Sequence, residues 1–280
     1  MKQKNSSRKD ILFLLPSLLG VLIFVFLPFS DVIRRSFTNV TGEQFTGISN
    51  YQTLLTNEAF LLAVKNTGSF IAVCVPLLLS FSLLIACLIN AGEGKFYRNI
   101  CLLPMTVPIA SLVFVWKMMF HRNGFINTFF HIEIDWINSN YAFFVLTASF
   151  IWKNLGYYVV LWLAGLGNIP AGLYEAANID GATVIQRFYY ITLPGLSKMI
   201  SATFILALTG TLKSYREAYL LAGEYPQQNI YMIQHLFHNW FRDMSIEKMC
   251  AGAVILVCIF GLFVYPIRKK GGGNSESLLD

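Results

Sequence analysis

The chain has 280 residues, of which 55% are apolar, 15% aromatic and 13% charged, with a formal net charge of +6. A soluble domain carries about a quarter charged residues, so this composition excludes a disordered chain and argues against an ordinary soluble enzyme. The 21 basic residues are scattered with no aromatic-interleaved stripe, which argues against a nucleic-acid partner.

A bilayer core of about 30 Å needs about 20 mostly apolar helical residues. Six stretches qualify: Ile11–Ile33, Gly68–Ala91, Ile100–Phe120, Tyr141–Gly167, Met199–Leu221 and Met249–Ile267. The expectation is therefore an all-α polytopic membrane protein with six transmembrane helices. Lys2, Lys4, Arg8 and Lys9 precede the first stretch, but its apolar core is too long for a cleaved signal and no small-residue cleavage site follows. The segment from Ser36 to Thr67 is expected as an ordered outer loop, with short surface helices carrying Tyr51, Leu54, Leu55, Phe60, Leu61 and Val64. Pro104, Pro108 and Lys117 interrupt the third stretch, and Lys153 lies near the middle of the fourth.

With the N-terminus inside, the inner segments hold eleven Lys and Arg and the outer loops six, which places both termini in the cytoplasm. Residues 1–10 are then a cytoplasmic N-terminus and 11–270 the membrane domain, with an inner loop at about 168–198. Residues 271–280, rich in Gly and Ser, are expected as a flexible tail. Cys74, Cys87, Cys101, Cys250 and Cys258 lie in or beside apolar runs without a CxxC, so they read as buried thiols.

Constellations for chemistry are missing. Gly92-Glu93-Gly94-Lys95-Phe96 lacks the spacing of a phosphate-binding loop and reads as a tight turn. His235 and His238 stand three residues apart with no third metal ligand in view. No catalytic residue and no bound cofactor or metal is expected.

The inner loop is the most specific segment. Pro170 suits the start of a helix, Glu175-Ala176-Ala177 favours one, Gly181 marks its end, and Ala182 to Tyr190 begins a second. Pro194 then punctuates before the fifth stretch. The small residues leave a surface that another protein's groove can approach closely, and a packed loop without a partner is the alternative.

Glu175-Ala176-Ala177, Asp180-Gly181-Ala182, Phe188, Ile191 and Leu193-Pro194 resemble, in identity and spacing, the EAA loop of binding-protein-dependent ABC importer permeases. Phe13-Leu14-Leu15-Pro16, Leu27-Pro28, Ser36-Phe37-Thr38, Gly47-Ile48-Ser49-Asn50-Tyr51 and Asn66-Thr67 resemble the carbohydrate-type members, among them the first permease of maltose transporters. The resemblance implies a type I importer permease fold in the cell membrane. It also implies a second, different permease, two ATPase subunits that bind Mg-ATP, and an external solute-binding protein. Glu175, Ala176, Ala177, Asp180, Gly181, Ala182, Ile191, Leu193 and Pro194 would form the part docked to an ATPase. Lys198 and the run Lys213-Ser214-Tyr215-Arg216-Glu217 depart from the family pattern.

Ionisable residues in a membrane core are costly and face protein or water. Asn154, Tyr157 and Tyr158 are expected to share a face beside Lys153. Either this face takes a sugar, with rings on its CH surfaces and amides on its hydroxyls, or it is an aromatic packing stripe. The resemblance to the maltose permease puts Trp152, Asn154 and Tyr157 on the solute path. Because Trp152 and Asn154 lie about 200° apart on an ideal helix, their joint use calls for a break, with Gly156 the candidate. Thr211 and Lys213 are further candidates, although Lys213 and Glu217 at i, i+4 suit an ion pair. The importer reading allows an amino acid or glycerol phosphate as well as a carbohydrate. An ion-coupled secondary transporter is the less favoured alternative.

Overall fold

The computed structural model describes the backbone of residues 6–92 and 95–273 and the side chains of 14–92 and 100–267. Residues 1–5, Glu93, Gly94 and 274–280 lie outside the described residues, and with them part of the expected tight turn and most of the expected flexible tail. Helix α1 (Ser6–Val21) passes through a π-helical turn (Leu22–Phe26) into α2 (Leu27–Ser36). Then come α3 (Ser49–Leu55), α4 (Glu58–Ala91), α5 (Lys95–Thr106), α6 (Ile109–Phe120), α7 (Phe125–Phe130) and α8 (Ala142–Leu166). Next are α9 (Ala171–Ile179), α10 (Val184–Arg187), a second π turn (Phe188–Thr192), α11 (Leu193–Gly195) and α12 (Ser197–Leu212). Helices α13 (Tyr215–Ala222), α14 (Ile233–Arg242) and α15 (Ile246–Gly273) complete the order.

Among the described residues four helical stretches are long and apolar enough to cross a membrane unbroken: Leu14–Ser36, Glu58–Ala91, Ala142–Leu166 and Ile246–Ile267. The expected third and fifth spans are bent pairs. Ile100–Thr106 meets Ile109–Phe130 at 103°, and Val184–Gly195 meets Ser197–Ala222 at 71°. The count reaches six when each bent pair is one span. Prolines explain much of this shape. Val107 precedes Pro108, which disfavours helical backbone there, and Pro108 is extended at ψ 139 before α6 starts. Both π turns stand just ahead of a proline, Pro28 and Pro194. A widened turn accommodates the missing N–H and the ring's clash with the preceding turn. Pro194 therefore lies inside a helical turn, and the bend falls after it, at Leu196.

The expected outer loop ends earlier than its composition suggested. Only α3 is a short separate helix, while 58–67 forms the start of the 34-residue α4. Nothing between Glu58 and Thr67 breaks a helix, and Asn57 caps it by accepting the Phe60 N–H at 2.9 Å. At 1.5 Å per residue α4 measures about 51 Å, well beyond a hydrocarbon core of about 30 Å. At the other end of the chain α15 runs on through Gly271–Gly273, where the flexible tail was expected to begin.

The chain forms two compact units. One holds the described residues up to Leu61 with Phe237–Leu262; the other holds Leu62–Leu236 and the described residues from Phe263. In the first, Asn50 donates to the Ser36 and Thr38 carbonyls, and Ser36 shares a 2.7 Å hydrogen bond with the Tyr51 hydroxyl. The second unit has a core built from Phe70, Leu78, Leu112, Leu146, Val159 and Trp162. Trp162 donates to Ser82 Oγ at 2.9 Å, so the largest core side chain has its polar atom satisfied. Asn66 donates to the Gln228 and Tyr231 carbonyls, and Thr67 Oγ1 accepts the Ile233 N–H, tying α4 to the start of α14.

Gly156 does not break α8, which is continuous from Ala142 to Leu166. Its missing side chain instead lets α5 approach: a Cβ at this position would lie 1.7 Å from the Cys101 carbonyl oxygen. Gly156→Ala is therefore expected to destabilise the protein by about 1–3 kcal/mol or more through overpacking. Gly68→Ala, where a Cβ meets nothing within 4 Å, is expected to leave stability equal or higher, since alanine is the better helix former. Thermal unfolding of both variants in detergent checks the contrast.

Candidate functional site

Two places in the second unit bring the sequence candidates together. The first is the inner loop. Pro170, at ψ 128, is the N-cap of α9 rather than its first helical residue. The helix ends at Asp180 with Gly181 at φ +72. The Gly181 N–H binds the Asn178 carbonyl at 3.1 Å and the Ala182 N–H binds the Ala177 carbonyl at 2.9 Å. That double bond pattern closes a helix and needs a left-handed residue, which glycine supplies without steric strain. Thr183 then opens α10 with a reciprocal cap to Gln186. Tyr174 and Thr192 share a 2.9 Å hydrogen bond, and Arg187 donates to Asn178, so α9 is braced against the segment that follows it.

What this braced hairpin leaves outside includes large apolar side chains beside polar ones. Ile179 is 87% exposed, and Leu173, Val184, Ile185 and Tyr190 are exposed as well. Glu175, Ala176, Asp180, Gly181 and Pro194 are exposed, while Ala177, Ala182, Ile191 and Leu193 are half-buried. No residue of α9 is buried.

The second place is a cavity of about 610 Å³ between α8 and α12–α13. Lys153 and Asn154 enter it from α8; Gly210, Lys213, Arg216 and Glu217 come from α12, α13 and the turn joining them; Gln234 closes it from α14. Lys153 Nζ stands 2.5 Å from Glu217 Oε1, with side-chain exposures of only 16% and 5%. This corrects the expected pairing of Lys213 with Glu217. Lys213 lies in the turn before α13, so the two residues are not on one continuous helix. The Glu217 carboxylate is buried against α8 instead. Each charge of a pair buried together is stabilised by its partner at close range, whereas either alone is costly.

The other solute-path candidates lie elsewhere. Thr211 is buried, its hydroxyl donating to the Leu208 carbonyl within its own helix. Trp152 is 46% exposed and meets Trp116 edge-on, the start of an aromatic series through Phe120, Trp136 and Tyr141. Tyr157 is exposed, and Tyr158 is buried against Gly210, so the expected face of Asn154, Tyr157 and Tyr158 divides. Successive helical residues are turned by about 100°, which separates Tyr157 from Tyr158 once Tyr158 enters the core. Arg216, Glu217 and Gln234 escaped the sequence reading as cavity residues. The charges at Arg216 and Glu217 in an apolar stretch were the signal for those two, and Gln234 gave none.

A smaller cavity of about 420 Å³ is lined by Lys117, His121, Arg122, Asp135 and the end of α13. The Asn138 backbone N–H, donated to Asp135 at 3.0 Å, holds that carboxyl below its usual range. His235 Nδ1 accepts the Met232 N–H and its ring meets Tyr215 and Tyr231, a structural setting. Among the described residues no group of three His, Cys, Asp or Glu is placed to hold a metal.

Lys153→Met leaves Glu217 buried without its cation and is expected to destabilise the protein by about 3–5 kcal/mol. The double variant Lys153→Met/Glu217→Met is expected to recover most of that loss. Chemical unfolding of the single and double variants, treated as a double-mutant cycle, measures the coupling.

Comparison with known proteins gives one consistent answer. Residues 79–267 match the family described as binding-protein-dependent transport system inner membrane component. The chain is 32% identical to the trehalose/maltose transport system permease protein MalF of Thermococcus litoralis, over 92% of this chain and 90% of that one. It is 30% identical to the probable ABC transporter permease protein YesP of Bacillus subtilis, over 96% and 93%. Its fold is similar, at a TM-score of 0.84 and 21% identity over 98% of both chains, to a chain of a bacterial alginate ABC transporter solved with an alginate pentasaccharide-bound periplasmic protein. With most of its length inside the family match and helices to cross a membrane, the chain belongs to the binding-protein-dependent transport system inner membrane components.

Proposed function

We propose that the chain is one permease of an ATP-driven importer for a carbohydrate, and that the cavity between α8 and α12–α13 lies on the solute path. Family membership supports the importer, and relatives named for trehalose, maltose and arabinooligosaccharide transport support the solute class. In this reading a second, different permease completes the pathway and a binding protein delivers solute from outside. Both termini face the cytoplasm of a cell that carries the importer in its plasma or inner membrane. The permease itself holds no cofactor; two partner ATPases bind Mg-ATP.

The observation that carries the reading is the braced, outward-facing α9 hairpin. A helix with no buried residue and with Leu173 and Ile179 exposed leaves apolar surface uncovered in an isolated chain. A cleft in an ATPase covers it, and the Tyr174–Thr192 and Arg187–Asn178 contacts make it rigid enough to transmit movement. Closing of the ATPases would push α9, and the push reaches α12 through the helical segment Val184–Gly195. Alternating access to the cavity follows from rocking of these helices.

Gly181→Val forces a β-branched residue into left-handed backbone, at a cost of about 1–2 kcal/mol, and unseats the Ala177 and Asn178 carbonyl bonds. Purified with its ATPases in proteoliposomes, this variant and Glu175→Ala are expected to lower solute-stimulated ATP hydrolysis at least severalfold. Retention of both assembly and stimulated hydrolysis by both variants refutes the coupling role of α9.

A further inference from the structure

We propose that the carbohydrate taken by the α8–α12–α13 cavity carries an anionic group, such as a uronate carboxylate; this rests on the reading that the cavity lies on the solute path. The argument begins with a charge balance. The cavity wall has three cations, Lys153, Lys213 and Arg216, and one carboxylate, Glu217. Lys153 takes up the Glu217 charge in the buried pair. Among the described residues neither Lys213 nor Arg216 has a carboxylate partner. The lining is therefore left with two positive charges, both on exposed side chains, where α12 ends and α13 begins.

Both side chains reach solvent from the cavity wall, where an anionic group of a solute can take the place of water. A guanidinium and an ammonium from neighbouring turns suit a bidentate or bridging carboxylate. Ile109 and Phe150 supply apolar lining for the CH faces of a ring. The wall thus combines apolar surface with an excess of positive charge, a combination that a neutral sugar meets by half.

The trial uses the complete importer in proteoliposomes, with its binding protein loaded with each probe. The probes are a digalacturonate, its carboxyl-reduced neutral counterpart and a sulfated disaccharide. The wild type is expected to import the digalacturonate, the sulfated sugar or both in preference to the neutral one. In K213Q/R216Q the ratio of anionic to neutral import is expected to fall roughly tenfold or more, as loss of charge-assisted hydrogen bonds implies. K213R/R216K, which keeps both charges, is expected to retain the preference. Preferred import of the neutral sugar by the wild type, or a ratio unmoved by K213Q/R216Q, overturns the anion inference alone. Failure of K213Q/R216Q to assemble with the second permease, while K213R/R216K assembles, also overturns it, because the two charges then serve the interface. Absence of import for every carbohydrate, charged or neutral, instead overturns the carbohydrate reading beneath it.

Discussion

A charged group in an apolar setting must find a partner, and in this protein that constraint is met by Lys153 and Glu217. They stand 64 residues apart in sequence and 2.5 Å apart in space. The pair joins the long straight α8 to the short α13 across what becomes the cavity wall. It sets the sign of that wall, because the only carboxylate there is neutralised and the cations beyond it are not. Packing of α8 therefore decides the electrostatics of the cavity as well as its shape.

The same helix serves a second purpose on another face. Gly156 lets the α5 backbone come within contact distance, and Trp162 reaches Ser82 on α4. These contacts are close and satisfied, as expected where interior packing leaves little room for adjustment. The third and fifth spans, by contrast, are bent. Pro108 and the π turn before Pro194 interrupt regular helix where the chain turns by 103° and 71°. The second bend lies between α9 and α12, the place where force from a partner would have to change direction.

The inner loop was the most readable part of the site, for a physical reason. Its geometry is local: Gly181 ends a helix because of its own backbone freedom, and Thr183 and Gln186 cap the next within four residues. Boundaries were less readable where composition misled. Polar residues before Thr67 suggested a loop, yet no breaker interrupts Glu58–Thr67 and the helix of the second span begins there. Prolines indicated that the third and fifth spans were irregular, but periodicity carries no information about the size of a bend.

Sequence alone determined that this is a helical membrane protein, where its apolar stretches lie, and which small-residue loop carries a helix that ends at Gly181. Each of these follows from composition, apolar run length or contacts within a few residues. Tertiary structure alone decided which charges meet. By spacing, Glu217 belonged to Lys213; in the fold it belongs to Lys153, because α12 stops at Leu212 and α13 presents Glu217 to α8. It likewise decided that Thr211 and Tyr158 are buried while Arg216 and Gln234 line the cavity. Such pairings depend on how separate helices are rotated against one another, and that rotation is set by the packing of the whole unit.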